Sequence, residues 1–317
     1  MLQQRAVGVS LPRDIPANQI VDFCQRAEEL GFDELWIVED LFYRGGIAQA
    51  AVALASTSTI HVGIGILPAA ARNVAFTALE VATLAELYPG RVTLGIGHGV
   101  TEWIKQVGAW PKSPLGLIRE TLSAVRALLH GSLVNVTGDY VSLRDARLEF
   151  PPAHPPLVLA GVRGPKSLAI SGAHADGTAL AEPVTPEYLA AVIAQVGATR
   201  PHRIVAYSNA VVASSLDAAR AIARPYLAHM DSPDVAAHID PLPFARELRE
   251  LGTSSSSPAE FAAAMPDEWV DQLAIVGAAA DVRARVGVLQ DAGASVVVFI
   301  ITGPDALDAL ESLGTAL

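Results

Sequence analysis

Glu39 and Asp40 are adjacent carboxylates that follow the apolar run Leu35-Trp36-Ile37-Val38. Two acids at a partly desolvated strand end raise one another's pKa, which leaves one of them able to donate a proton. The competing reading is an ion pair with Arg44 that only shapes the loop. His98 stands in Gly95-Ile96-Gly97-His98-Gly99, one imidazole on a bare loop. There it hydrogen-bonds a cofactor, transfers a proton, or is merely solvated. The stretch Gly161-Val162-Arg163-Gly164-Pro165-Lys166-Ser167 leads into the helical Leu168-Ala169-Ile170. Proline at the first helical position, glycine-freed amides and two cations beside a helix amino terminus together make an anion site. A plain turn with surface cations is the alternative. Gly63-Ile64-Gly65-Ile66-Leu67-Pro68 places glycines inside a β-branched strand, the sign of a bulge, of close approach to a ligand, or of a strand narrowed for packing.

Each of these groups lies just after, or at the end of, a short apolar run, and the runs alternate with longer amphipathic ones. That alternation predicts βα units around a parallel sheet. Eight strands are expected: 6–10, 34–38, 61–66, 92–96, 157–160, 177–180, 204–212 and 295–301. Ile20, Phe23, Cys24, Ala27 and Leu30 follow helical spacing, with Gly31 where a helix commonly ends. Ile118, Leu122, Val125 and Leu129 repeat it, and Asp305 to Leu313 gives a last helix. The expectation is a (β/α)8 TIM barrel, whose active site lies at the carboxyl ends of the strands. One domain spans 1–317, with insertions at about 132–156 and about 228–280. The helical stretch Pro258 to Met265 is too short for the second insertion to form a core of its own.

Composition removes several alternatives. The chain has 317 residues, 51% hydrophobic and 17% charged, which is the profile of a compact fold. Its net charge of −11 is a poor match for nucleic acid or an acidic membrane surface. The single cysteine, Cys24, forms no internal disulfide and suits a reducing cytoplasm. Met1 to Asp14 carries no apolar leader, and no segment reaches the roughly 18 apolar residues of a membrane helix. There is no H-E-x-x-H, cysteine cluster, G-x-S-x-G elbow or Walker loop, so no metal site is expected. The glycines at 95–99 do not complete a dinucleotide fingerprint.

In order and spacing, GFDELWIVED at 31–40, HVGIGILP at 61–68, ALEVATLAELYPGRVTLGIGHG at 78–99, PLVLAGVRGPKSLAISGAHADG at 156–177 and GAAADVRARVGVLQDAGASVVVF at 277–299 resemble the luciferase-like superfamily. The short loops and the Gly-Pro-Lys element resemble its coenzyme F420-dependent branch, of the methylenetetrahydromethanopterin reductase-like kind. The resemblance implies that Glu39 touches the deazaflavin and that Asp40 stands where many members have a proton-donating histidine. It implies a cis peptide at Gly65–Ile66 behind the ring, and His98 and Gly99 at the ring's polar edge. It places the cofactor phosphate on Arg163, Gly164, Lys166 and Ser167. Val100 stands where the branch's sugar-phosphate dehydrogenases have a glutamate.

The expected function is therefore hydride transfer between F420 and a small organic substrate, with Asp40, Glu39 and His98 as candidate proton donors. The alternatives are an FMN-dependent monooxygenase of the same superfamily and a non-catalytic flavin-binding barrel. The resemblance also suggests a homodimer.

Overall fold

The computed structural model describes residues 5–317; Met1 to Gln4, which open the amino-terminal stretch read above, lie outside the described residues. The strands are β1 (Ala6–Ser10), β2 (Glu34–Ile37), β3 (His61–Pro68), β4 (Val92–Gly97), β5 (Val134–Thr137), β6 (Ser142–Ala146), β7 (Leu157–Gly161), β8 (Gly177–Leu180), β9 (Arg203–Val212), β10 (Ile275–Gly277) and β11 (Val296–Ile301). Eight of them pair in parallel in the order β1-β2-β3-β4-β7-β8-β9-β11, and β11 returns to β1. The ring is closed, with helices between its strands: a (β/α)8 barrel.

Outward-facing strand residues such as Val9, Leu35, Ile37, Val62 and Ile64 pack against the helices in the main core. The helix Ile20–Leu30 buries Ile20, Phe23, Cys24 and Ala27 and ends at Gly31. The helix Pro114–Leu129 buries Ile118, Leu122, Val125 and Leu129, and the Ser113 side chain caps it by accepting from the Gly116 N–H. Each fully buried leucine or isoleucine on such a face contributes about 1.5–3 kcal/mol.

The inward faces explain where a cavity can form. Side chains alternate along a strand, so every second residue enters the barrel. On β9 these are Arg203, Val205, Tyr207 and Asn209; on β2 they are Glu34 and Trp36. Arg203 donates to Glu34 at the lower end, and the Trp36 Nε1–H donates to the other carboxylate oxygen at 2.9 Å. Above them Trp36 meets Tyr207 edge to face, with ring centroids 5.7 Å apart. Bulky side chains fill the lower and middle barrel, and the layer above is lined by glycine and small residues. The interior therefore opens only at the carboxyl ends of the strands.

Two excursions leave the barrel where they were expected. The first carries the antiparallel hairpin β5-β6. The second departs from the sequence expectation: it has a core. Helices Ala236–Ile239, Ala245–Ser254, Pro258–Ala264 and Asp267–Leu273 join Leu216–Ala223 around Leu227, Met230, Leu248, Phe261, Val270 and Leu273. Phe244 stacks on Trp269 at 4.8 Å between centroids. No one helix supplies this core, because each contributes only a few apolar residues, and reading Pro258 to Met265 by itself misses the sum. The excursion is anchored by β10, which pairs with the end of β9.

Candidate active site

A cavity of about 580 Å³ opens at the carboxyl ends of the strands. Its floor and walls follow from the alternation just described: Ser10, Val38, Gly65, Gly161, Ala179, Tyr207 and Ile300 are the upper inward residues of their strands. Glu39, Asp40, Gly65, Ile66, His98, Gly99 and Arg163 all line it. Gly164, Lys166 and Ser167 do not line the cavity. They form the start of the neighbouring helix Pro165–His174, with Gly164 as its cap residue and Lys166 exposed.

The floor has the close approaches that its glycines suggested. A Cβ on Gly65 would stand 2.9 Å from Trp36 Cε3 and closer still to the Tyr207 hydroxyl, and one on Gly161 would collide with Ile66. The Gly65–Ile66 peptide is cis, and the pairing of β3 with β4 shifts register between Ile64 and Leu67.

The two acids are not left to act on each other. Arg72 Nη2 donates to Glu39 Oε2 at 2.6 Å, and the Gly46 N–H donates to the same oxygen at 2.7 Å. Glu39 thus joins β2 to the start of the helix Gly46–Ser56 and to the loop after β3. Asp40 Oδ2 accepts from Arg13 Nη1 at 2.8 Å. Arg44, the partner expected from the sequence, instead donates to the Arg13 backbone carbonyl at 3.0 Å. The partners lie 27 and 33 residues away along the chain, beyond any local reading.

His98 Nε2 lies 3.1 Å from the Ser167 hydroxyl, which ties the loop after β4 to the first turn of the helix Pro165–His174. Burial, and then the charge of Arg163, push the His98 pKa below its ordinary value. The ring is therefore neutral at pH 7 and suited to hydrogen bonding. The helix's first amides lack intrahelical acceptors, and its dipole favours an anion there. Arg163 is exposed, and one guanidinium N–H donates to the Asp234 carbonyl of the second excursion, so the loop after β7 and that excursion are in contact.

Two groups at this cavity were absent from the sequence candidates. Tyr207 is buried on β9 and its hydroxyl has no hydrogen-bond partner among the described residues. Burial pushes its pKa well up, so the phenol stays neutral. Glu182 follows β8 by two residues and lines the cavity. The rule that flagged Glu39 and His98, inspection of the residues after each strand, applies equally to Glu182. Tyr207 carries no such signal, because it sits inside an apolar strand.

With this geometry established, the chain can be placed among known proteins. The family described as luciferase-like monooxygenase matches residues 2–295, and the chain belongs to that family. A 5,10-methylenetetrahydromethanopterin reductase of Methanolobus tindarius is 27% identical over 325 residues, covering 97% of this chain and 98% of the relative. An F420-dependent glucose-6-phosphate dehydrogenase of Beutenbergia cavernae is 33% identical over 178 residues, covering 52% of each. Among solved structures, the coenzyme F420-dependent tetrahydromethanopterin reductase of Methanopyrus kandleri superposes with a TM-score of 0.83 at 22% identity, covering 99% of this chain and 98% of that one. No helix among the described residues is long and apolar enough to cross a membrane.

Proposed function

We propose that this protein is an F420-dependent oxidoreductase acting on a small organic substrate in the cytoplasm, with residues 1–317 working as one barrel unit. The observation that carries the reading is the cavity itself. It joins a glycine wall, an unpartnered buried hydroxyl and Arg163, which stands just before the amino terminus of the helix Pro165–His174. A flat ring with a phosphate tail fits those three features. The relative matched over half of the chain is named as an F420-dependent enzyme, which favours the deazaflavin over FMN.

In this reading Arg163, Gly164, Lys166 and Ser167 hold the cofactor phosphate, and Gly65 and Ile66 back the ring. His98 and Gly99 meet the ring's polar edge. Coenzyme F420, when bound, supplies a hydride to a substrate carbon or accepts one from it. Glu39 keeps the loop after β2 in place through Arg72 and Gly46. Asp40 and Arg13 form a fixed polar pair on the opposite wall that orients the substrate.

Fluorescence titration with F420 and FMN in parallel tests the assignment, with tighter F420 binding expected. Replacing Arg163 and Lys166 together by Ala should weaken F420 binding by about 1.5–3 kcal/mol per lost charge-assisted bond. The loss should shrink in high salt, because both cations are exposed. Tighter FMN binding with oxygen consumption would move the protein to the monooxygenases, and binding of either cofactor without turnover of any substrate would leave a carrier. Normal F420 affinity in the double variant would put the phosphate elsewhere.

A homodimer belongs to the same proposal. Phe76, Leu79 and Leu87 are 67%, 53% and 65% exposed at helical spacing on Val74–Leu87, and Val52 is exposed on the adjacent helix Gly46–Ser56. Such an apolar stripe is best covered by its own copy related by a twofold axis. Light scattering should give twice the chain mass, falling to one chain mass in Phe76→Glu/Leu79→Glu. A monomeric parent protein would remove the stripe as an interface.

A further inference from the structure

We propose that Glu182 is the proton-bearing acid of this cavity and that, with the Tyr207 hydroxyl, it selects an uncharged substrate carrying a carbonyl group. The inference rests on the F420 reading above and adds the substrate class and the donor.

The geometry comes first. Glu182 lies at the end of the barrel where β8 leaves the wall, and Tyr207 rises from β9, the next strand of the ring. Both line the same cavity. Of the other acids lining the cavity, Glu39 binds Arg72 and Gly46, Asp40 binds Arg13, and Asp14 is exposed to water. Glu182 is half-buried and has no ion-pair partner among the described residues; only its own backbone N–H donates to its carboxyl. The Tyr207 hydroxyl is likewise without a partner and is buried. The buried, unpartnered Tyr207 hydroxyl is costly unless something enters beside it and satisfies it, and Glu182, just past the end of the neighbouring strand, reaches the same space.

The surroundings decide the protonation state. The charged groups facing Glu182 are Arg163 on the loop after β7, Asp40 on the loop after β2 and Arg13 on the loop after β1. Burial is the largest influence and pushes the Glu182 pKa up; Asp40 adds to it, while its own backbone N–H, then Arg163 and Arg13, oppose it without reversing it. Those cations are already engaged, Arg13 by Asp40 and Arg163 by the Asp234 carbonyl. A neutral carboxyl and a neutral phenol are both donors. They fit an acceptor oxygen, and they offer an anionic substrate no counter-charge. The remaining wall includes Leu11, Trp103, Ile300 and Ile301, which suits an apolar body.

The step balances simply. The carbonyl carbon takes a hydride, with its two electrons, from the reduced deazaflavin, and the carbonyl π bond breaks. The oxygen takes the Glu182 proton, which leaves an alcohol, the oxidised deazaflavin and a glutamate carboxylate that water reprotonates. Because the donor is the protonated form, reduction should be lost as pH rises through the raised Glu182 pKa.

The test has a readout that needs no substrate. Infrared difference titration of the full-length protein, with and without F420, should show a protonated-carboxyl C=O band at pH 7. The band should vanish in Glu182→Gln, persist in Asp40→Asn, and return shifted in Glu182→Asp. Absence of the band in the parent protein, or its survival in Glu182→Gln, overturns the proposal. With reduced F420 and a panel of cyclohexanone, benzaldehyde and cyclohex-2-enone, Glu182→Gln should lower turnover about 100- to 10,000-fold. Its F420 affinity should stay within twofold, and Glu182→Asp should recover part of the rate. If the parent protein binds F420 but reduces none of the panel, the carbonyl class is wrong and the proposal falls. If F420 does not bind at all, it is the underlying F420 reading that fails, and the donor role fails with it.

Discussion

Arg203→Met is expected to lower the unfolding free energy by about 3–5 kcal/mol, the cost of stranding a buried charge. Its partner Glu34 is 4% exposed and Arg203 is 7% exposed, at the amino-terminal ends of β2 and β9. Burial, with a smaller push from Asp33, raises the Glu34 pKa, and Arg203 is the main group opposing that. Without the guanidinium, the carboxyl must ionise in an apolar layer or keep its proton, and both outcomes weaken the fold. Trp36 would also lose an ordered acceptor, and Trp36 is the floor on which Tyr207 rests. Glu34→Gln/Arg203→Met should recover much of the loss, because a neutral amide still accepts from Trp36. Urea unfolding of the two variants checks this through the midpoint. A loss below about 1 kcal/mol in the single variant would mean that water reaches Glu34 and that the layer is not dry.

Acid should unfold the protein well before its carboxylates are titrated, and His238 is a principal cause. Its ring is fully buried, stacks on Tyr188 at 4.2 Å and holds the Pro183 carbonyl with Nδ1 at 3.0 Å. A carbonyl only accepts, so Nδ1 carries the hydrogen; Nε2 is buried without a partner among the described residues. Burial pushes the ring's pKa down to about 4, against the Pro183 contact. The unfolded chain therefore binds the proton first. The stabilising difference is complete above pH 6.5 and is lost as pH falls towards 4, by about 3 kcal/mol. His61 and His202 are also pushed to about 4 by burial and act in the same direction. His238→Phe keeps a ring on Tyr188 and removes one titration, so the slope of stability between pH 6.5 and 4 should flatten. An unchanged slope would assign the acid sensitivity to the other two histidines.

The barrel was legible because its signals are local. Strands covered on both faces read as uninterrupted apolar runs, and all eight fall within a residue or two of where those runs lie. β3 runs on to Pro68 past the expected Ile66, because a bulge lets the chain stay in the sheet beyond its regular pairing. The positions of Glu39, Asp40, His98 and Arg163 at one opening follow from the fold once the strands are right. What those side chains bind does not follow. Arg72 and Arg13 reach the acids through tertiary folding, and Asp234 reaches Arg163 from 71 residues away. The core of the second excursion was hidden for a related reason: its apolar residues are spread over several short helices, none of which shows a long periodic face.

β9 is ten residues long, while the barrel ring uses only its earlier part; its last three residues, Ala210 to Val212, carry β10. The seam between barrel and excursion thus includes main-chain pairing, which is indifferent to side-chain identity, beside the packing of His238 on Tyr188. A module attached in this way can be exchanged for another of different size or polarity without disturbing the hydrogen bonds that close the ring. The contacts it makes beside the cavity, Asp234 with Arg163 and His238 with Pro183, are then the part of the molecule most open to divergence. Evolution can retune what enters the cavity from β9 outward while the Trp36–Tyr207 floor stays constant.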